Sequence, residues 1–239
     1  MFLLSRAPSD LSPAGRADYT DRCRRFLAVA LADKQPAAER QVNQRVLSNP
    51  MDATVVSAML TRGETPDLFR LQKQWCRIMA KDYATRHAGT EFPLKVFAER
   101  IYQLRVEDES ALSEIEFPAE VKALTEHKMA VVRQSLDGRG ELVRQWFFRH
   151  EKIRDYFIVQ AFLGADNERP EKHLGDARFR GVYFLLAQLL PLGAAERLHE
   201  QPIQYAADTK DHSVSDDFIR RLRIRQTPLA DAAPSDSPK

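Results

Sequence analysis

The sequence predicts a mainly α protein: a helical bundle, then a winged-helix domain with one β-hairpin, then a C-terminal helical extension. Three observations predict it. Apolar residues recur at helical spacing over most of the chain, as in Leu68, Leu71, Trp75, Ile78, Met79 and Tyr83, a repeat that gathers them on one helix face. The pattern changes between Phe117 and Phe148, where two short apolar runs flank Asp137-Gly138, the dipeptide of a hairpin turn. Helices then a two-stranded hairpin is the outline of a winged helix, and a strongly apolar segment, His150 to Leu163, follows at once.

Each element has a local reason. Asp18 to Leu31 is the first predicted helix and Ala37 to Leu47 the second, with Pro36 tolerated near its start because an N-terminal proline gives up no helical hydrogen bond. Ser48-Asn49-Pro50 is a break, since Pro50 pushes Asn49 toward extended backbone. Met51 to Leu60 resumes as a short apolar helix, and Gly63 and Pro66 punctuate before the amphipathic helix Asp67 to Arg86. Pro93 to Arg105 is the next, with Val96, Phe97, Ile101 and Leu104 on one side. Pro118 to Glu126 is a short helix. Met129 to Val132 and Leu142 to Phe148 are the hairpin strands, joined by Asp137 to Gly140. Asn167 to Gly175 is a polar loop. Helices follow over about Asp176 to Leu190, Gly193 to Ala207 and Ser213 to Arg225, the last with acidic residues in its first turn. From Thr227 the chain is Pro, Ala, Ser and Asp, a composition that predicts a disordered tail.

Composition narrows the function classes. Lys and Arg number 36 against 34 for Asp and Glu, a net charge of +2, which argues against a histone-like nucleic-acid binder. Cys23 and Cys76 stand far apart and alone, so neither a zinc site nor a disulfide scaffold is expected. No apolar run approaches the roughly 18 residues of a membrane helix, and Arg6 interrupts the short apolar start; a cytoplasmic location and no membrane partner are expected. Glycine is scarce, at 9 residues, and the phosphate-loop pattern G-x-x-x-x-G-K-[ST] is absent. Asp67, Glu99, Glu107 and Asp108 have no nucleophile or metal set beside them in the sequence, and His127, His173, His199 and His212 have no ligand-like spacing. No catalytic residue and no metal ligand is therefore expected.

The most informative stretch runs from Phe148 to Leu163. Phe148, His150, Ile153, Asp155, Tyr156 and Ala161 resemble the end of the winged-helix domain in NACHT-type NTPases of the STAND class. Lys152 and Arg154 stand where Ser or Thr and Gln are usual in that family, and Ile158 and Val159 are bulkier than its alanines. Upstream, Asn49-Pro50 before an apolar helix resembles the motif that opens the family's helical lid. Phe2 to Pro8 resembles its sensor-one strand, with Arg6 at the sensor position.

The resemblance implies roles for three residues toward ADP or ATP with magnesium in an intact module. His150 donates to the β-phosphate of ADP, Pro50 packs beside the adenine, and Arg6 reads the terminal phosphate. It also implies that residues 1–13 are a remnant of the NTPase core strand, 14–87 the helical lid, 88–163 the winged helix, 164–226 a C-terminal helical domain and 227–239 the tail. With the phosphate loop missing, the chain is expected to be the regulatory and interaction half of such a module in signalling or defence. It is not an enzyme alone and holds no cofactor alone. Its partner would be the phosphate-loop half or an oligomer of the parent. Each residue also has a plainer reading: His150 as a helix cap, Pro50 as a helix break, Arg6 as an exposed arginine.

Two other readings stand beside this one. The first is a winged-helix DNA-binding protein using Pro118 to Glu126 as recognition helix. That segment carries two glutamates, one lysine and no arginine, whereas a recognition helix needs donors for phosphates and base edges; nucleic acid is not an expected partner. The second is an inactive remnant. Arg220, Arg221, Arg223 and Arg225 form a basic cluster in the last helix, expected to be a solvated face.

Overall fold

Ser12 begins the first helix: its hydroxyl accepts from the Gly15 N–H (3.1 Å), and Pro13 occupies the first helical position. That cap moves the start of α1 (Pro13–Ala30) upstream of the expected Asp18. The structure, a computed structural model, describes residues 3, 11–112, 114–136, 140, 142–164 and 167–226. Arg6, the turn residues 137–139 and the tail from Thr227 lie outside the described residues.

The chain divides into two compact units, residues 1–161 and 162–239. The first holds α1, α2 (Ala37–Ser48), α3 (Pro50–Thr61), α4 (Leu71–Arg86), α5 (Leu94–Val106), β1 (Ala111–Leu112), α6 (Pro118–Glu126), β2 (Ala130–Leu136), β3 (Leu142–Phe148) and nearly all of α7 (Glu151–Phe162). The expected hairpin is present as β2 and β3, in register from Ala130↔Phe148 to Leu136↔Leu142. β2 runs four residues past the expected Val132. A strand that the sequence did not announce, β1, pairs antiparallel with β3 at Ala111↔Phe147 and Leu112↔Trp146, giving the sheet order β1-β3-β2. Two residues are too short for a period-2 signal, so only pairing reveals them.

Aromatic side chains hold the hairpin to the helices. Phe97 and Phe157 are fully buried, with ring centroids 5.1 Å apart. Phe117 and Phe92 meet Phe97 edge to face at 5.2 and 5.4 Å, and Phe148 of β3 meets Phe157 at 5.6 Å. Such edge-to-face pairs add to the stabilisation from area burial. Lys128, in the left-handed region at φ 57°, ends α6. The N–H groups of Met129 and Lys128 fold back to the carbonyls of Leu124 and Thr125 (2.7 and 2.9 Å), a Schellman arrangement that aims the chain directly into β2.

The second unit holds α8 (Arg169–Lys172), a 3-10 turn (Ala177–Phe179), α9 (Arg180–Leu189), α10 (Leu192–Leu198), α11 (Glu200–Thr209) and α12 (Ser215–Gln226). The expected loop 167–175 contains the short α8, and the expected helix Gly193 to Ala207 is broken at His199 into α10 and α11. Phe179, Val182, Tyr183, Leu186 and Phe218 are fully buried and form its core. Among the described residues no helix is long and apolar enough to cross a membrane.

Candidate functional site

Asn49 and Pro50 make a built helix start. The Asn49 Oδ1 accepts from the N–H groups of Met51 (3.0 Å) and Asp52 (3.2 Å), and Pro50 takes the first helical position of α3. Asparagine is among the strongest N-caps, and proline there loses no hydrogen bond. Two residues on, Asp52 is fully buried. A lone carboxylate would not tolerate that burial. Its Oδ2 accepts from Lys152 Nζ at 2.5 Å, and its Oδ1 accepts from Gln72 Nε2 at 3.3 Å.

Lys152 belongs to the first turn of α7, directly after His150. The His150 carbonyl accepts from the Ile153 N–H (3.1 Å), and its Nδ1 accepts from the Lys152 N–H (3.2 Å). His150 therefore caps α7, as the plainer reading of that residue held. Burial, and then the nearby Lys152 charge, push the imidazole below its ordinary pKa, with Asp52 and Glu151 opposing. The shift favours the neutral ring. With Nδ1 accepting, its one proton sits on Nε2, which has no hydrogen-bond partner among the described residues. Capping thus uses Nδ1 and leaves Nε2 as the donor of the neutral ring.

The turns at Pro50 and His150 are in this way joined by the Asp52–Lys152 bond. Beneath it lies an apolar recess lined by Met51, Val55, Leu71, Trp75, Met129 and Ile153. It encloses about 10 Å³, room for at most one water, so this recess holds no purine as it stands. Pro50 itself is exposed. Arg6 lies outside the described residues. Among the described residues no group of three His, Cys, Asp or Glu side chains is placed to hold a metal ion.

A second polar junction joins α3, α4 and α6. The Asp82 carboxylate accepts from Arg62 Nη1 (2.6 Å) and faces His127 Nε2 (2.8 Å). His127 Nδ1 faces the Ala123 carbonyl (2.9 Å), while Trp75 Nε1 donates to the His127 carbonyl (3.3 Å). Burial acts to raise the Asp82 pKa, but the Arg62 and His127 hydrogen bonds outweigh it and hold the carboxyl below its ordinary value.

Several other polar residues weighed in the sequence have structural places. Asp67 Oδ1 closes a turn by accepting from the Phe69 and Arg70 N–H groups (3.0 and 3.1 Å). The His173 ring lies on Phe179, with centroids 4.3 Å apart. Much of the basic cluster of α12 is engaged: Arg225 donates to the Ala187 and Leu190 carbonyls (2.6 and 2.8 Å), Arg221 lies over Phe184, and Arg220 pairs with Asp217. On α6, Glu120 is buried and accepts from Tyr83 Oη (2.7 Å), and Lys122 is the one cation the helix exposes.

Sequence reasoning missed Asp52 and Gln72 and treated Lys152 only as a departure from a pattern. A signal existed: an acidic residue in the first turn of an otherwise apolar helix is costly to bury unless a cation reaches it. Comparison with protein-family models, with curated proteins and with solved structures gives no match.

Proposed function

We propose that the chain is the regulatory, nucleotide-sensing part of a NACHT-like STAND module and acts as an interaction and switch element. The observation that carries this reading is the tie between the turns at Pro50 and His150, made by Asp52 and Lys152. These are the two described segments that resemble the family's nucleotide contacts, and they are about one hundred residues apart in sequence. The Nε2–H of a neutral His150 is a suitable donor to a phosphate oxygen, since a bond to a charged acceptor is among the stronger hydrogen bonds. The recess beside it has no room for a purine, so the base and most phosphate contacts fall to the phosphate-loop segment. That segment's N–H cradle and lysine supply most phosphate affinity in such modules. A nucleotide bound unequally in closed and open arrangements would shift their populations.

The experiment is nucleotide titration. The chain alone should bind neither ADP nor ATP at micromolar concentration and should not hydrolyse ATP; micromolar binding with turnover would overturn the proposal. Completed by a phosphate-loop segment, the module should retain ADP. His150→Ala should then weaken ADP retention about tenfold, the equivalent of one charge-assisted hydrogen bond. Unchanged ADP affinity would remove His150 from the sensing role.

A further inference from the structure

Among the described residues, the hairpin leaves one long edge unpaired. β2 is the outer strand of the sheet, whereas β1 covers β3 only at Phe147 and Trp146. The hydrogen bond from the Arg149 N–H to the Met129 carbonyl (2.8 Å) makes residues 129 and 149 a hydrogen-bonded pair, and such pairs alternate along an antiparallel ladder. In this register the backbone groups of 131, 133 and 135 face β3, and those of Val132, Gln134 and Leu136 face outward. The same three side chains share one face of the pleat. It carries exposed apolar surface: Val132 is 39% exposed, Leu136 70%, and Leu142, opposite Leu136, 65%. Soluble proteins blunt such edges with lysine, proline or a bulge. β2 has none of these, and its one charge, Arg133, lies on the other face over the Phe147 ring (4.9 Å).

We propose that this edge docks a second copy of the chain, which adds its own β2 antiparallel about a twofold axis at Gln134. The occupant follows from self-complementarity, since an isologous contact must match a surface to itself. With Gln134 on the axis, Val132 meets Leu136 of the second copy, twice over, and Arg133 falls opposite Ser135. An axis one residue earlier would set two Arg133 guanidiniums opposite each other, which is destabilising. An axis one residue later loses the apolar pairing. The Gln134 register also makes 132, 134 and 136 the hydrogen-bonded positions, so that about six backbone bonds form across the axis. The buried area is small, below about 1,000 Å². The dimer is therefore weak and concentration-dependent, and it does not depend on the nucleotide reading.

Sedimentation velocity on the full chain tests this between about 5 and 500 µM, where weak contacts populate. The expected result is a rising dimer fraction across that range. Gln134→Pro removes an N–H that β3 does not use, and edge proline is tolerated; Leu136→Lys places a charge on the exposed apolar pair. Each should weaken association at least tenfold with circular dichroism unchanged. Gln134→Cys should form a disulfide dimer under mild oxidation, because residues paired on the axis lie about 5.5 Å apart at Cα, while Cys23 and Cys76 are buried. A wild-type chain monomeric throughout, or association unchanged in folded Leu136→Lys, would overturn the proposal.

Discussion

The Lys152 ammonium lies 2.5 Å from the Asp52 carboxylate and joins the first turn of α7 to the first turn of α3. The bond is asymmetric: the Asp52 side chain is 1% exposed and that of Lys152 is 43% exposed. Losing the cation strands a buried charge, whereas losing the carboxylate frees a lysine that water already reaches.

Lys152→Met should consequently destabilise the first unit more than Asp52→Asn, by about 1–2 kcal/mol once the exposure of Lys152 is discounted. The double variant should recover most of the loss. Urea unfolding of the four proteins checks this. Strictly additive losses would show that the two side chains do not interact energetically.

His150 should titrate below its ordinary pKa, because burial and then the Lys152 charge disfavour the imidazolium. Lys152→Met should move that titration upward, as the repulsion goes and the Asp52 charge is left uncompensated. As pH falls through the ordinary histidine range, near 6.5, the unfolded chain takes up this proton first, so wild-type stability should drop relative to His150→Ala. Imidazole proton shifts followed against pH report the first effect and unfolding at two pH values the second.

Asp155 is 8% exposed, and burial pushes its pKa up to about 7, with the charges of Arg154 and Arg105 opposing. Between pH 4 and 7 the folded chain then holds a proton that the unfolded chain has released. Stability from this group falls as pH rises through that window and levels off above it. Asp155→Asn should flatten the dependence and stabilise the protein at pH 8, by up to about 4 kcal/mol. Thermal unfolding from pH 4 to 8 decides it; parallel wild-type and variant curves would contradict the assignment.

His127→Leu removes the polar contacts of a buried ring with Asp82 and the Ala123 carbonyl and leaves Asp82 with Arg62. A loss of about 1–3 kcal/mol is expected. Trp75 donates to the His127 carbonyl and meets its ring edge to face at 5.6 Å. Its fluorescence should therefore change in the folded state, which a loss of stability alone would not cause.

Arg225→Ala should destabilise the second unit by about 1–2 kcal/mol, since its two nitrogens satisfy the Ala187 and Leu190 carbonyls at the end of α9. Arg220→Ala should change stability by less than about 0.5 kcal/mol, because its pair with Asp217 is exposed. Chemical unfolding of the two variants separates a capping arginine from a solvated one.

Much of the architecture was legible because its causes are local. Asn49-Pro50 starts a helix wherever it is placed, helical spacing marks α4 from Leu71 to Tyr83, and the apolar runs about Asp137-Gly138 predict β2 and β3. His150 was legible as a cap, since capping depends on its neighbours in the chain. What the sequence could not supply was whatever joins distant segments. Burial of Asp52 under Lys152, the meeting of Asp82 with His127, and the pairing of β1 with β3 depend on which helix faces pack together. No local propensity encodes that choice: two residues of strand carry no periodicity, and a charged residue in an apolar helix gives no sign of where its counter-ion lies. The sequence by itself determined that most of these helices and the hairpin form and about where they lie, because proline and spacing act within a turn or two. Several ends, such as the start of α1 at Pro13 and the break at His199, were not where it placed them. Only the tertiary structure decided which charges are buried and paired, because burial and Coulomb attraction depend on distance in space.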